Sequence, residues 1–245
     1  SNSSFFLPPP PPTKFDQKDL RETLVSYKPS NEELTQARVL LLGPMGAGKS
    51  SFINSIRSVL YRHVVNLPIV GSGSAVFGYF IFLHLCQSLK ELYRWSLCLS
   101  LQFQPEAPIQ PSTAGYRLDP SLKDKIHCVV FTLDARELTS YSRGLKETLR
   151  KLRSEISDLG TPQFVLLTHM DLVCTSGMRD IYTSRVVQAK MQEAAELAGM
   201  PLSFVLPVKN YASELAVDCD IDILLLGAVA QILQAIEDIT AASEL

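Results

Sequence analysis

Residues 43–50 read Gly-Pro-Met-Gly-Ala-Gly-Lys-Ser, with Ser51 next, and meet the pattern G-x-x-x-x-G-K-[ST] without a mismatch. The apolar run Val39–Leu42 precedes this stretch, and Phe52, Ile56, Val59 and Leu60 recur after it at helical spacing. A strand, a glycine loop and a helix in that order can bind phosphate. Small residues let backbone N–H groups turn inward around an anion. The opening turn of the helix adds unpaired donors and the positive end of its dipole. In such a loop Lys49 reaches the β- and γ-phosphates, and the Ser50 hydroxyl holds Mg²⁺. The residues assigned to the phosphates are Gly43, Pro44, Met45, Gly46, Ala47, Gly48, Lys49, Ser50 and Ser51, with Ser50 also the metal ligand. A glycine-rich turn with no ligand is the plain alternative, and the two flanks weigh against it.

A second constellation lies further along, where Gln163–Thr168 (QFVLLT) runs into Thr168, His169, Met170 and Asp171. A carboxylate at Asp171 can accept hydrogen bonds from guanine N1–H and from its 2-amino group. Adenine offers no such pair, and a buried carboxylate left unpaired penalises the wrong base. Asp171 is therefore assigned to the base, although an aspartate opening a polar loop is common. Pro207 to Tyr211 (PVKNY) follows another apolar run and stands where a loop would back the base. Lys209 is assigned there and Asn210 is a further candidate; a solvated loop reads nearly as well.

These groups need a framework, and the periodicity supplies one. Ile126 to Leu133, Gln163 to Thr168 and Ser203 to Val208 are apolar runs of strand length. Leu145, Leu149, Leu152, Ile156 and Leu159 form one helical stripe, ended by Gly160 and Pro162. Residues 185–198 and 222–239 read as two further helices. Strand and helix alternate, so the expected fold is a three-layer α/β P-loop domain with a mostly parallel sheet and its ligand beyond the strands' carboxyl ends. The expected divisions are a disordered proline-rich tail over 1–16, a short helical lead-in over 17–36 and the nucleotide domain over 37–245. Asp218, Asp220 and Asp222 read as helix capping rather than a metal site. His127 reads as packing.

The motifs RVLLLGPMGAGKSSFINSIRSVL, PSLKDKIHCVVF, ISDLGTPQFVLLTHMD and VLPVKNYASE resemble the interferon-induced protein 44 family, including its 44-like members. The resemblance covers roughly residues 36–71 and 103–240. It implies a GTPase-type G domain that binds GTP or GDP, a cytoplasmic location and a role in the interferon-driven antiviral response. It also carries two departures. GTPases place Asn-Lys-x-Asp where this chain has Thr168-His169-Met170-Asp171, so the resemblance also assigns Thr168 and His169 to the base, His169 in the position of a lysine whose stem packs on guanine. They also need an Asp-x-x-Gly whose glycine N–H senses the γ-phosphate, and here no aspartate occurs between residues 51 and 118. Ser72 and Ser74 are the nearest substitutes for a metal-completing threonine. Hydrolysis should accordingly be weak or absent. The alternative is a non-enzymatic interaction or scaffold protein with a degenerate G domain.

Residues 76–101 occupy the missing region. They are apolar and aromatic, and Lys90, Glu91 and Arg94 interrupt them before a bilayer-spanning length is reached. Three readings stand: a buried strand followed by a helix, a peripheral membrane or partner-binding segment, or a foreign insert, which the break in resemblance favours. A protein partner would use this stretch or the tail. The five cysteines, Cys86, Cys98, Cys128, Cys174 and Cys219, are odd in number and scattered, as in a reducing compartment. A net charge of −2 gives no reason to expect nucleic acid. No signal peptide is read in residues 1–12, whose five prolines favour an extended tail, and no transmembrane segment is expected.

Overall fold

The structure, a computed structural model, describes residues 16–34, 36–66, 81–85, 121–174 and 181–242. The proline tail, Ser72, Ser74 and most of 76–101 lie outside the described residues.

Five strands form one sheet: β1 (Ala37–Leu42), β2 (Ile81–Leu85), β3 (Cys128–Asp134), β4 (Gln163–Thr168) and β5 (Val205–Pro207). Their order is β2-β1-β3-β4-β5. β1, β3, β4 and β5 run parallel, while β2 lies antiparallel on the outer edge of β1. The helices among the described residues are α1 (Asp16–Val25), α2 (Lys49–Tyr61), α3 (Arg143–Asp158), α4 (Arg185–Ala198) and α5 (Cys219–Ala242).

Residues alternate across the strands, as a two-sided sheet requires. Val39, Leu41, Cys128, Val130, Phe164 and Leu166 face the core shared with α2 and α5, against which Leu20 and Leu24 of α1 also pack. Val129, Phe131, Leu133, Val165 and Leu167 face the opposite core under α3 and α4. The expected three-layer α/β architecture is the one observed.

Local chemistry sets the helix ends. Ser142 and Ser184 accept hydrogen bonds from the N–H groups of Leu145 and Val187, capping α3 and α4. Gly199, in the left-handed region at φ 69°, closes α4. Asp218 Oδ1 accepts from the N–H groups of Asp220 and Ile221, so α5 starts at Cys219, three residues earlier than its apolar pattern suggested. Leu145 and Leu149 of the α3 stripe are buried, but Leu159 is 78% exposed because the helix has already ended. The strand expected over 203–208 is shorter: residues 202–204 form a single 3₁₀ turn before β5. His127 bridges two backbone groups, its Nδ1 accepting from Arg38 N–H at 2.8 Å and its Nε2 lying 2.9 Å from Leu122 O. α5 is long and apolar enough to cross a membrane by length and composition alone. Here 61% of its apolar window is buried, against the sheet and against α1 and α2.

Candidate nucleotide site

Registry brings the sequence motifs together. Leu42, the last residue of β1, pairs with Phe131, so Gly43 turns beside Thr132. Asp134 at the end of β3 pairs with Thr168 at the end of β4. The glycine loop, the base-motif turn and the end of β3 therefore share the carboxyl edge of the parallel strands.

The loop needs its glycines for two different reasons. Gly43 has φ 149°, and a Cβ there would come within 2.1 Å of Thr132 O, so the backbone of β3 leaves no room for a side chain. Gly46 has φ 82° with open space where a Cβ would stand, so its requirement is conformational alone. Gly48 combines both: φ is 88°, and a Cβ would lie 2.9 Å from the Asn210 amide nitrogen. Two tethers hold the loop from below. The Thr168 hydroxyl lies 2.9 Å from Ala47 O and 3.1 Å from Leu133 O. Asn210 Nδ2 donates to Gly48 O at 3.1 Å.

Lys49 is buried, and its ammonium donates to Gly43 O at 2.8 Å and Pro44 O at 2.7 Å. Burial lowers its pKa to about 8. α2 opens directly from Gly48 with no side-chain cap, unlike α3, α4 and α5. Its first-turn N–H groups thus lack helical acceptors at the point where the lysine charge is stored. Ser50 is half-buried in that turn and Ser51 is exposed, as is Met45 at the loop's tip. A nucleotide's phosphates fit this donor set: a cradle that a Cβ would fill, an uncapped helix start and a cation that, among the described residues, is bound to backbone carbonyls alone. The Ser50 hydroxyl, in the same turn, could hold Mg²⁺.

On the base side, His169 sits at φ 57°, in the left-handed region, and opens the 3₁₀ turn Met170–Leu172 that carries Asp171. Met170 is buried beneath it, and Asp171 is half-buried. Lys209, assigned to the base, forms an ion pair with Glu214 at 2.8 Å. Glu214 also accepts from the N–H groups of Ala212 and Ser213. Burial pushes the Glu214 carboxyl up, but Lys209 and these donors override it and hold its pKa at about 2. The neighbouring Asn210, less favoured from sequence, makes the link to the loop.

Three groups at this edge were not singled out from sequence. Asp134 is buried and binds Arg136 through both carboxylate oxygens, the shortest contact being 2.7 Å from Nη2 to Oδ2. Its N–H donates to the Tyr141 hydroxyl at 2.9 Å. The available signal was an aspartate directly after an apolar strand, at the same edge as the loop.

No family model matches the chain. Among curated proteins it is 34% identical to human interferon-induced protein 44 over 253 residues, covering 91% of this chain and 57% of that protein. It is 33% identical to the mouse protein of the same name, covering 88% and 58% respectively. Human interferon-induced protein 44-like is 31% identical, over 86% of this chain and 54% of the relative. The chain thus spans somewhat more than half the length of the relatives it matches. Over that span, with the glycine loop, the THMD turn and the PVKNY loop set on one edge of a parallel sheet, the chain belongs to the interferon-induced protein 44 and 44-like family.

Proposed function

We propose that the chain is a guanine-nucleotide-binding domain serving the interferon-induced innate, antiviral response in the cytoplasm, with weak or absent GTP hydrolysis. One observation carries the nucleotide reading. The loop Gly43 to Ser50 is held in an open turn by Thr168 and Asn210, with the Lys49 ammonium drawn into it and Asp171 on the adjoining turn. Lys49 and the α2 N–H groups would take the phosphates, Ser50 the Mg²⁺, and Asp171 the guanine edge. The interferon role rests on the names of the relatives.

The test is calorimetry with GDP, GTP and ATP in the presence of Mg²⁺. Guanine nucleotides should bind and ATP should bind more weakly. Lys49→Ala should abolish binding, and Asp171→Ala should weaken GDP while leaving inorganic pyrophosphate unaffected. Preference for ATP, or an unchanged GDP affinity in Asp171→Ala, would remove the role given to Asp171.

A second reading, a scaffold that keeps the nucleotide as a structural ligand, is favoured by one specific feature. β2 runs antiparallel beside β1, and no Asp-x-x-Gly is available there. Multiple-turnover phosphate release lost in Lys49→Ala would decide for the enzyme.

A further inference from the structure

His169 offers a ligand one of two different surfaces, depending on which ring nitrogen carries the proton. The hydrogen bonds around it settle that choice. Its Nδ1 lies 3.0 Å from the Thr168 hydroxyl and 3.1 Å from Asp134 Oδ2. Thr168 has a single hydroxyl proton, and two carbonyls, Ala47 O and Leu133 O, already compete for it. Toward His169 the hydroxyl is therefore an acceptor. Asp134 is an acceptor as well. Burial pushes its carboxyl up, but the Arg136 hydrogen bonds and the Arg136 charge hold it below the ordinary carboxylate range. Two acceptors converge on one nitrogen, so Nδ1 must carry the proton. Nε2 has no protein partner among the described residues, and when the ring is neutral it presents a lone pair.

We propose that Asp134 is a positioning residue for base recognition: its carboxylate holds His169 as the Nδ1–H tautomer, leaving Nε2 as an acceptor that acts with Asp171 to select a base rich in donors. This rests on the nucleotide reading above. Guanine offers N1–H and an amino group to two acceptors. Adenine presents a bare ring nitrogen in the place of that N1–H, which an acceptor repels. The fixed tautomer explains how a histidine serves where a lysine stem is expected. Arg136 has its own part. It shares Oδ2 with His169, so Asp134 stays ionised and anchored when the ring is neutral. The charged groups around the ring are Asp134 and Arg136 from the end of β3 and Asp171 on its own turn, and Arg136 also feels the Asp171 charge.

The test has two arms. Histidine-selective ¹⁵N labelling with long-range proton correlation reads the tautomer of His169 in the ligand-free protein, assigned by its loss in His169→Phe. The Nδ1–H form is expected. It should persist in Asp134→Asn, which keeps an acceptor oxygen, and revert to Nε2–H in Asp134→Leu. An Nε2–H or doubly protonated wild type overturns the proposal, whatever the protein binds. The second arm compares GDP and ADP affinities, with inorganic pyrophosphate as the probe of the phosphate grip. The GDP-to-ADP ratio should fall about tenfold in His169→Phe and in Asp134→Leu, the size of one lost hydrogen bond, with pyrophosphate unchanged. A ratio unmoved in His169→Phe overturns the proposal even if Asp134→Leu fails to fold. A wild type that binds no nucleotide overturns the nucleotide reading, and the base-selecting role falls with it.

Discussion

Lys49 is a cation kept in a place that suits cations poorly until an anion arrives. Its pKa of about 8, against an ordinary 10.5, comes from burial. The folded value lies below the unfolded one, so folding disfavours the charged form. That cost is fully present below about pH 8 and disappears as pH rises through 10.5. Lys49→Met should therefore melt higher than wild type at pH 7, with the gap closing by pH 10 in thermal scans. A bound pyrophosphate group reverses the preference. GDP binding near pH 8.5 should take up a fraction of a proton, visible as a buffer-dependent enthalpy in calorimetry. The glycines divide at the same scale. Gly43→Ala drives a Cβ into Thr132 O and should cost about 3 kcal/mol or more in denaturant unfolding. Gly46→Ala meets nothing and carries only its positive φ, so about 1 kcal/mol is expected.

Among the elements, the loop after β5 joins the glycine loop to the helices behind the sheet. Asn210 bonds Gly48 O, the next residue, Tyr211, donates its N–H to Ser55 of α2 at 2.8 Å, and its hydroxyl donates to Asp222 of α5 at 2.6 Å. Asp222 is buried and also accepts from Gln17 of α1 at 2.7 Å. The Tyr211 hydroxyl in turn accepts from Asp218 N–H at 2.6 Å. Arg21 of α1 adds a bond to Leu60 O, satisfying the last turn of α2. Tyr211→Phe strips a donor from the buried Asp222 carboxylate and an acceptor from the Asp218 N–H. A loss of about 2–3 kcal/mol in unfolding free energy is expected, with the aromatic packing retained.

At the scale of the molecule, chain direction matters most. Ile81 pairs with Leu41 at the loop end of β1, and Leu85 pairs with Ala37 at the far end. The chain therefore leaves β2 away from the glycine loop. The described strand that lies beside β1 and ends at the loop is β3, and the residues from its end, Asp134 to Glu137, read Asp-Ala-Arg-Glu, without the glycine a γ-phosphate sensor needs. A site that makes no distinct contact with a third phosphate cannot be shifted by it. GDP and a non-hydrolysable GTP analogue should bind within about threefold of each other in parallel titrations. A tenfold preference for the triphosphate would show a sensor elsewhere in the chain.

Sequence alone determined the parts whose physics is local. The 43–50 pattern names the loop because only small residues and glycine can turn that backbone. The two-sided apolar runs gave the parallel sheet, and the α4 bounds follow from Ser184 and Gly199. The tertiary structure decided what depends on registry between distant strands. It turned Lys209 to Glu214 and gave Asn210 the link to the loop. It also brought Asp134 beside His169, 35 residues away in the chain, because β3 and β4 pair Asp134 with Thr168. No spacing rule encodes that contact: a hydrogen bond between two strand ends exists only once the sheet has chosen its neighbours.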